Sequence, residues 1–144
     1  MLTFEPVTEQ NFRRIVQMKL PPEQERFVAP NVYSLAQAWL YPEARPFALT
    51  DGDEVVGFMM LDWDEEGRSL GIWRFMIAPE HQRKGYGRQA MLEVIRMAKE
   101  SGLFDSMDLD YHPDNQAARA LYASVGFEEN GEQEEGEIVM VLRL

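Results

Sequence analysis

Gln82-Arg83-Lys84-Gly85-Tyr86-Gly87-Arg88 is the stretch on which the reading of this chain turns. It follows Ser69 to Ile77, a run of bulky residues with the pattern of a buried strand. It precedes a helical pattern from about Gly87 to Ser101, with Met91, Val94, Ile95 and Ala98 on one face and Gly102 as the stop. A helix N-terminus carries unpaired N–H groups and a partial positive charge, so it receives phosphate well. Gly85 and Gly87 let the backbone turn and come close to a ligand. Arg83, Lys84 and Arg88 add cations at the same place, in a chain with 14 basic residues against 25 acidic ones. Two glycines alone would describe a solvated turn; the position between strand and helix, among cations, points to phosphate. The segment is not a Walker loop, because Gly-Lys-Ser/Thr is missing, and it lacks the third glycine of a dinucleotide fingerprint.

Outward from this loop the pattern alternates. Upstream, Phe47 to Thr50 and Glu54 to Trp63 flank the turn Asp51-Gly52-Asp53, and Asp64-Glu65-Glu66-Gly67 leads into Ser69–Ile77. Earlier still, Leu2 to Pro6 reads as a strand. Thr8 reads as the N-cap of a helix from Glu9 towards Lys19, and Ser34 as the N-cap of a short helix carrying Leu35, Ala38 and Trp39. Downstream, Ser106 to Tyr111 is a strand, Asp114 caps a helix that runs to Ser124, and Phe127 to Asn130 pairs with Glu137 to Leu144 around an acidic turn. The order predicts an α/β (or α+β) domain over residues 1–144 with a mixed sheet.

Composition sets further limits. Residues of the hydrophobic classes make up 45% of the chain, enough for one core. There is no cysteine, which excludes disulfides, thiolate metal sites and a cysteine nucleophile. Nothing in the sequence suggests a metal. The net charge of −11 speaks against a nucleic-acid partner, whose phosphates need a basic face, and suits either solubility or the attraction of cationic substrates. No apolar run has the length to span a bilayer, and the N-terminus lacks the pattern of a signal peptide, so the expectation is a cytoplasmic protein without a membrane partner.

Gln82-x-x-Gly85-x-Gly87 resembles the acetyl-CoA signature of the GNAT superfamily of N-acetyltransferases. Phe75-Met76-Ile77-Ala78-Pro79-Glu80 resembles the end of that family's fourth strand, and Asn115 followed by Leu121-Tyr122-Ala123-Ser124-Val125-Gly126-Phe127 resembles its later block. The resemblance implies a mostly antiparallel sheet whose central strands splay apart, flanked by helices. It implies acetyl-CoA as cosubstrate, its pyrophosphate held by N–H groups from Arg83 to Arg88, Tyr86 included, and its arm paired with main-chain groups of Met76, Ile77 and Ala78. Asn115 would contact that arm, and Tyr122 would give a proton to the departing thiolate. Arg119, on the same helical face, is either a solvated residue or a phosphate contact. GNAT domains often pair, so a homodimer is a further expectation.

The chemistry asks for a base as well. An amine resembling lysine has a pKa of about 10.4 and must lose a proton before it attacks. Many relatives carry a glutamate on the fourth strand, but here that strand reads Leu70-Gly71-Ile72-Trp73-Arg74-Phe75-Met76-Ile77 and has no acid. Arg74, a charge in a buried run, should have a carboxylate partner. Asp110 is either a base or half of a structural ion pair, and His112, before a proline, reads as structural. Pro22-Glu23-Gln24-Glu25-Arg26-Phe27, Ile72-Trp73-Arg74-Phe75 and Gly136-Glu137-Ile138-Val139-Met140 resemble bacterial spermine/spermidine acetyltransferases within the same superfamily. That implies a small amine, a polyamine, as acceptor. Glu23 and Glu25 are either ordinary surface charges or partners of the ammonium groups, with Phe27, Trp63 and Trp73 walling the methylenes, and Glu128 to Glu137 reads as a solvated turn. A protein N-terminus or lysine as acceptor, or a non-catalytic acyl-CoA-binding module, are the alternatives.

Overall fold

A computed structural model describes all 144 residues. Strand β1 (Leu2–Pro6), helices α1 (Phe12–Gln17) and α2 (Asn31–Leu40), and strands β2 (Ala44–Asp51), β3 (Glu54–Asp64) and β4 (Ser69–Ile77) come first. Helix α3 (Tyr86–Ser101), strand β5 (Ser106–Tyr111), helix α4 (Gln116–Ser124) and strands β6 (Glu128–Glu134) and β7 (Glu137–Arg143) follow. One seven-stranded sheet runs in the order β1-β2-β3-β4-β5-β7-β6. Only β4 and β5 are parallel, because α3 carries the chain across the sheet between them.

The sheet is covered on both faces, so β3 is buried from Val55 to Leu61 without alternation. One core holds the apolar stripe of α3, which is Ala90, Met91, Val94, Ile95 and Ala98, with Met107, Leu109, Tyr122 and Phe127. The smaller core, on the side of α1 and α2, holds Ile15, Ala48, Phe58, Met60 and Met76.

Two features open a cleft. The pairing of β4 with β5 runs from Ser69↔Ser106 to Ile72↔Leu109 and stops there, so the strands diverge. At the same point β4 carries a bulge against β3. Leu61 faces Ile72 and Met60 faces Arg74, which leaves Trp73 as the extra residue.

Helix starts differ from expectation. Asn11, not Thr8, is the residue before α1: its buried amide accepts from the Thr8 N–H at 2.8 Å and donates to the Pro6 carbonyl at 3.0 Å. Helix α2 begins after Pro30, where Asn31 donates to the Ile15 carbonyl at 2.9 Å, and Ser34 lies inside the helix. Trp39 is 89% exposed rather than packed with Leu35 and Ala38. No helix is long and apolar enough to cross a membrane.

Candidate active site

The loop before α3 has the backbone of an anion cradle. Arg83 and Gly85 both have positive φ, 63° and 85°, on either side of Lys84, an alternation that turns successive N–H groups inward. Neither Arg83 nor Lys84 forms an ion pair with an acidic side chain, so both charges remain available. Gln82 braces the loop: its Nε2 donates to the Ile77 carbonyl at 3.0 Å and to Gln24 at 3.1 Å. Tyr86 donates its hydroxyl to Asp51 at 2.6 Å, and Arg88 donates to Ser124 Oγ at 2.9 Å. Gln82, Tyr86 and Arg88 brace the loop, and the side chains of Arg83 and Lys84 are left without an acidic partner. The residues present fit the pyrophosphate of coenzyme A.

The end of β4 divides its main-chain groups. The Ala78 N–H goes to the Val56 carbonyl at 2.8 Å and the Ala78 carbonyl accepts from His81 at 2.9 Å. Both Ala78 groups are taken, and the Ile77 carbonyl accepts from Gln82, while Met76 and Ile77 lie on the part of β4 beyond its pairing with β5. Arg119 is also occupied: its Nε donates to Glu129 at 3.0 Å, and Tyr111 donates to the same carboxylate at 2.5 Å. Asn115 is the N-cap of α4 in place of Asp114, whose carboxylate pairs with Arg26 at 2.9 Å.

Beyond the splay lies a cavity of about 930 Å³. Glu25 to Pro30 form one wall with Tyr33 and Gln37 of α2, while Trp73 and Arg74 of β4, Asp110 of β5 and Tyr122 of α4 form the rest. Its carboxylates are Glu25, Glu43, Asp62, Asp108, Asp110, Glu134, Glu135 and Glu137, against two arginines, Arg26 and Arg74. Phe27 packs against His112 with the rings tilted and their centres 5.3 Å apart, which joins the two sides of the mouth. Glu23 does not reach this cavity, and neither does Trp63, which packs edge-on against Phe104 at 4.9 Å with Arg45 over its ring. Glu134, Glu135 and Glu137, expected in a solvated turn, do line it.

Arg74 has no carboxylate partner. It donates to the Gln37 amide at 3.1 Å and to the Trp73 carbonyl at 3.0 Å, and its Nε is buried without a partner. Burial lowers its pKa, while the charges of Asp110 and Glu137 raise it. Asp110 faces open water in the cleft on one side and protein on the other. Its carboxyl is pushed up to about 7, first by burial, then by a hydrogen bond and repulsion from Glu137. Asp62 and Asp108 lie either side of Gly71 in the sheet, with no side chain between them. Burial, then the charges of Glu43, Asp108 and Asp64, raise Asp62 as well. Tyr122 is 8% exposed, and its hydroxyl makes no hydrogen bond within the chain. Burial, then the charges of Asp110 and Glu137, hold it well above the ordinary phenol range.

The missed residues differ in how visible they were. Asp108 stands two residues before the expected Asp110, alternating with Met107 and Leu109, so strand period puts it on the same face. Asp62 and Glu137 reach the cleft through strand register and Glu43 through the turn before β2, which no local pattern shows.

A model of the acetyltransferase (GNAT) family matches residues 12–127. The spermine/spermidine N(1)-acetyltransferase of Bacillus subtilis (strain 168) is 27% identical over 150 aligned positions, covering 99% of each chain. Among solved structures, the spermidine N-acetyltransferase from Vibrio cholerae in complex with CoA and spermine aligns with a TM-score of 0.78 and 20% identity over 97% of this chain and 92% of that one. The PaiA N-acetyltransferase from Thermoplasma acidophilum in complex with coenzyme A aligns with a TM-score of 0.73 and 13% identity over 100% and 99%.

Proposed function

Since the chain belongs to the acetyltransferase (GNAT) family and is an acetyl-CoA-dependent N-acetyltransferase, we propose that it acetylates a primary amine of a polyamine such as spermine or spermidine. The observation that carries this reading is the cavity lined by eight carboxylates and two arginines. A polycation entering it exchanges water for carboxylates that repel one another when the cavity holds only solvent. Trp73 and Phe27 offer apolar surface for the methylenes between the charges.

Each residue then has a task. Arg83, Lys84 and the left-handed turn through Gly85 hold the pyrophosphate, and Met76 and Ile77 align the arm in the splay. Bound acetyl-CoA supplies an activated acetyl thioester. Asp110 takes a proton from the acceptor ammonium, so that the nitrogen holds a free electron pair. The Tyr122 hydroxyl holds the proton that the leaving sulfur needs, and its raised pKa keeps that proton in place until negative charge appears beside it. With no cysteine in the chain, transfer is direct between the two bound substrates.

An acceptor panel with detection of released thiol tests this. Spermine and spermidine should be turned over with a lower KM than an alkyl monoamine of similar reach, and added salt should narrow the difference. Turnover of an α-amino peptide with inert polyamines would leave the acetyltransferase in place and replace the acceptor by a protein N-terminus or lysine.

A further inference from the structure

Glu137 is two residues along β7 from Val139, the residue that faces Asp110 in the register of β5 and β7. Residues two apart on a strand share a face. Glu137 is therefore a diagonal neighbour of Asp110 on the cleft side, within reach for a long side chain. Both line the cavity, and neither forms an ion pair. Burial and the neighbouring Glu137 carboxyl both hold the Asp110 carboxyl above the ordinary carboxylate range. Two ionised carboxylates on one face of β5 and β7 repel each other, and one proton held between them relieves that repulsion.

The surrounding charges leave that proton with the pair. Arg74 of β4 faces it and favours ionisation, but its guanidinium donates to Gln37 and to the Trp73 carbonyl. Asp108, next along β5, adds repulsion. Tyr122 of α4 feels both carboxylates and stays protonated.

We infer that Glu137 is a positioning residue for proton transfer: it shares one proton with Asp110 and so keeps Asp110 basic enough to accept a proton from the acceptor ammonium. The inference rests on Asp110 being that acceptor. When an ammonium group enters between the two carboxyls, its charge replaces the shared proton, which leaves to water through the open cleft. Asp110 is then ionised beside the group that it must deprotonate. An N–H bond of the ammonium breaks, an O–H bond forms on Asp110, and the electron pair stays on nitrogen.

The experiment has two readouts. The first is a carbon-13 titration of side-chain carboxyls in the free protein, in the parent, Glu137→Gln and Asp110→Asn. The second is the acidic limb of kcat/KM for spermine. The parent should lose one carboxyl proton near pH 7. In Glu137→Gln that step and the acidic limb should both move down by roughly one unit, because a like charge is gone. Glu137→Asp should recover part of the shift, whereas a merely structural role would lower the plateau and leave the limb in place. A step near pH 7 that persists in Glu137→Gln overturns the inference. Loss of activity in Asp110→Asn with an unmoved limb in Glu137→Gln overturns it alone and keeps Asp110 as acceptor. Full activity in Asp110→Asn overturns both.

Discussion

The side chain of Asn115 accepts a hydrogen bond from the main-chain N–H of Ala118 at 3.2 Å and closes the first turn of α4. Its amide nitrogen makes no hydrogen bond within the chain, so cap and ligand contact can be separated. Asn115→Ala should cost roughly 1 kcal/mol in thermal unfolding through the lost cap. Asn115→Asp keeps the capping oxygen and removes the donor. It should unfold like the parent while the KM for acetyl-CoA rises. An unchanged KM would make Asn115 a cap and nothing more.

Gly85 and Gly87 should respond differently to alanine. Gly85 has φ +85°, and a β-carbon there would meet only the Gln89 amide at 3.9 Å, so backbone strain is the obstacle. That strain is roughly 1–2 kcal/mol. Gly87 is helical, its β-carbon would come 3.3 Å from Leu121 Cδ2, and helix propensity favours alanine. Gly85→Ala should lower Tm and coenzyme A affinity together, and Gly87→Ala should spare Tm. Equal losses in both unfolding curves would contradict this account of the loop.

Tyr122→Phe removes a hydroxyl that no group in the chain bonds, and keeps the ring in the core. Tm should stay within error. Turnover should fall roughly 10²–10⁴-fold where chemistry limits the rate, with coenzyme A affinity unchanged. A parent-like rate under those conditions removes Tyr122 from the reaction.

Position in the cavity ranks the acidic substitutions. Asp62→Asn and Asp108→Asn should each raise KM for spermine more than for a monoamine. Glu25→Gln should do so to a smaller extent, and Glu23→Gln should do nothing, because Glu23 lies outside the cavity. If Glu23→Gln has the largest effect, the acceptor lies elsewhere.

Asp110 also gives stability a pH dependence of known sign. A carboxyl with a native pKa above its unfolded value binds its proton more tightly when folded. Its contribution is therefore present below the unfolded value of 3.8 and is lost as pH rises to about 7. Asp110→Asn should gain Tm relative to the parent at pH 8 and gain less at pH 5. The same difference at both pH values would put this carboxyl in the ordinary range.

What the sequence revealed depended on how local the cause was. Ser106 to Tyr111 alternates regularly enough to show a strand and to single out Asp110, while Asp108 on the same face follows only once that period is applied. The phosphate loop was legible because glycines, cations and a helix start coincide. Asp114 and Asn115 are equally good caps by type. Asn115 takes the position because Asp114 pairs with Arg26 and its N–H goes to His112. Trp39 keeps helical period with Leu35, yet period does not say which side of α2 meets the sheet. Glu137 looks like every other glutamate in its stretch. Only the register of β7 against β5 singles it out.

The bulge at Trp73 divides β4 into two halves that can vary separately. Before it the strand is indexed to β5 through Ile72, and after it the strand is indexed only to β3. The extra residue offsets the register of β4 against β3, which pairs with it on both sides of Trp73. Removing one residue there would reverse which side chains point to the cleft on one half of the strand. With it in place, Met76 and Ile77 keep their register against Phe58 and Gly57 whatever side chains stand near Gly71 and Trp73. The strand is in this sense a modular joint, one half of which can be altered without disturbing the other.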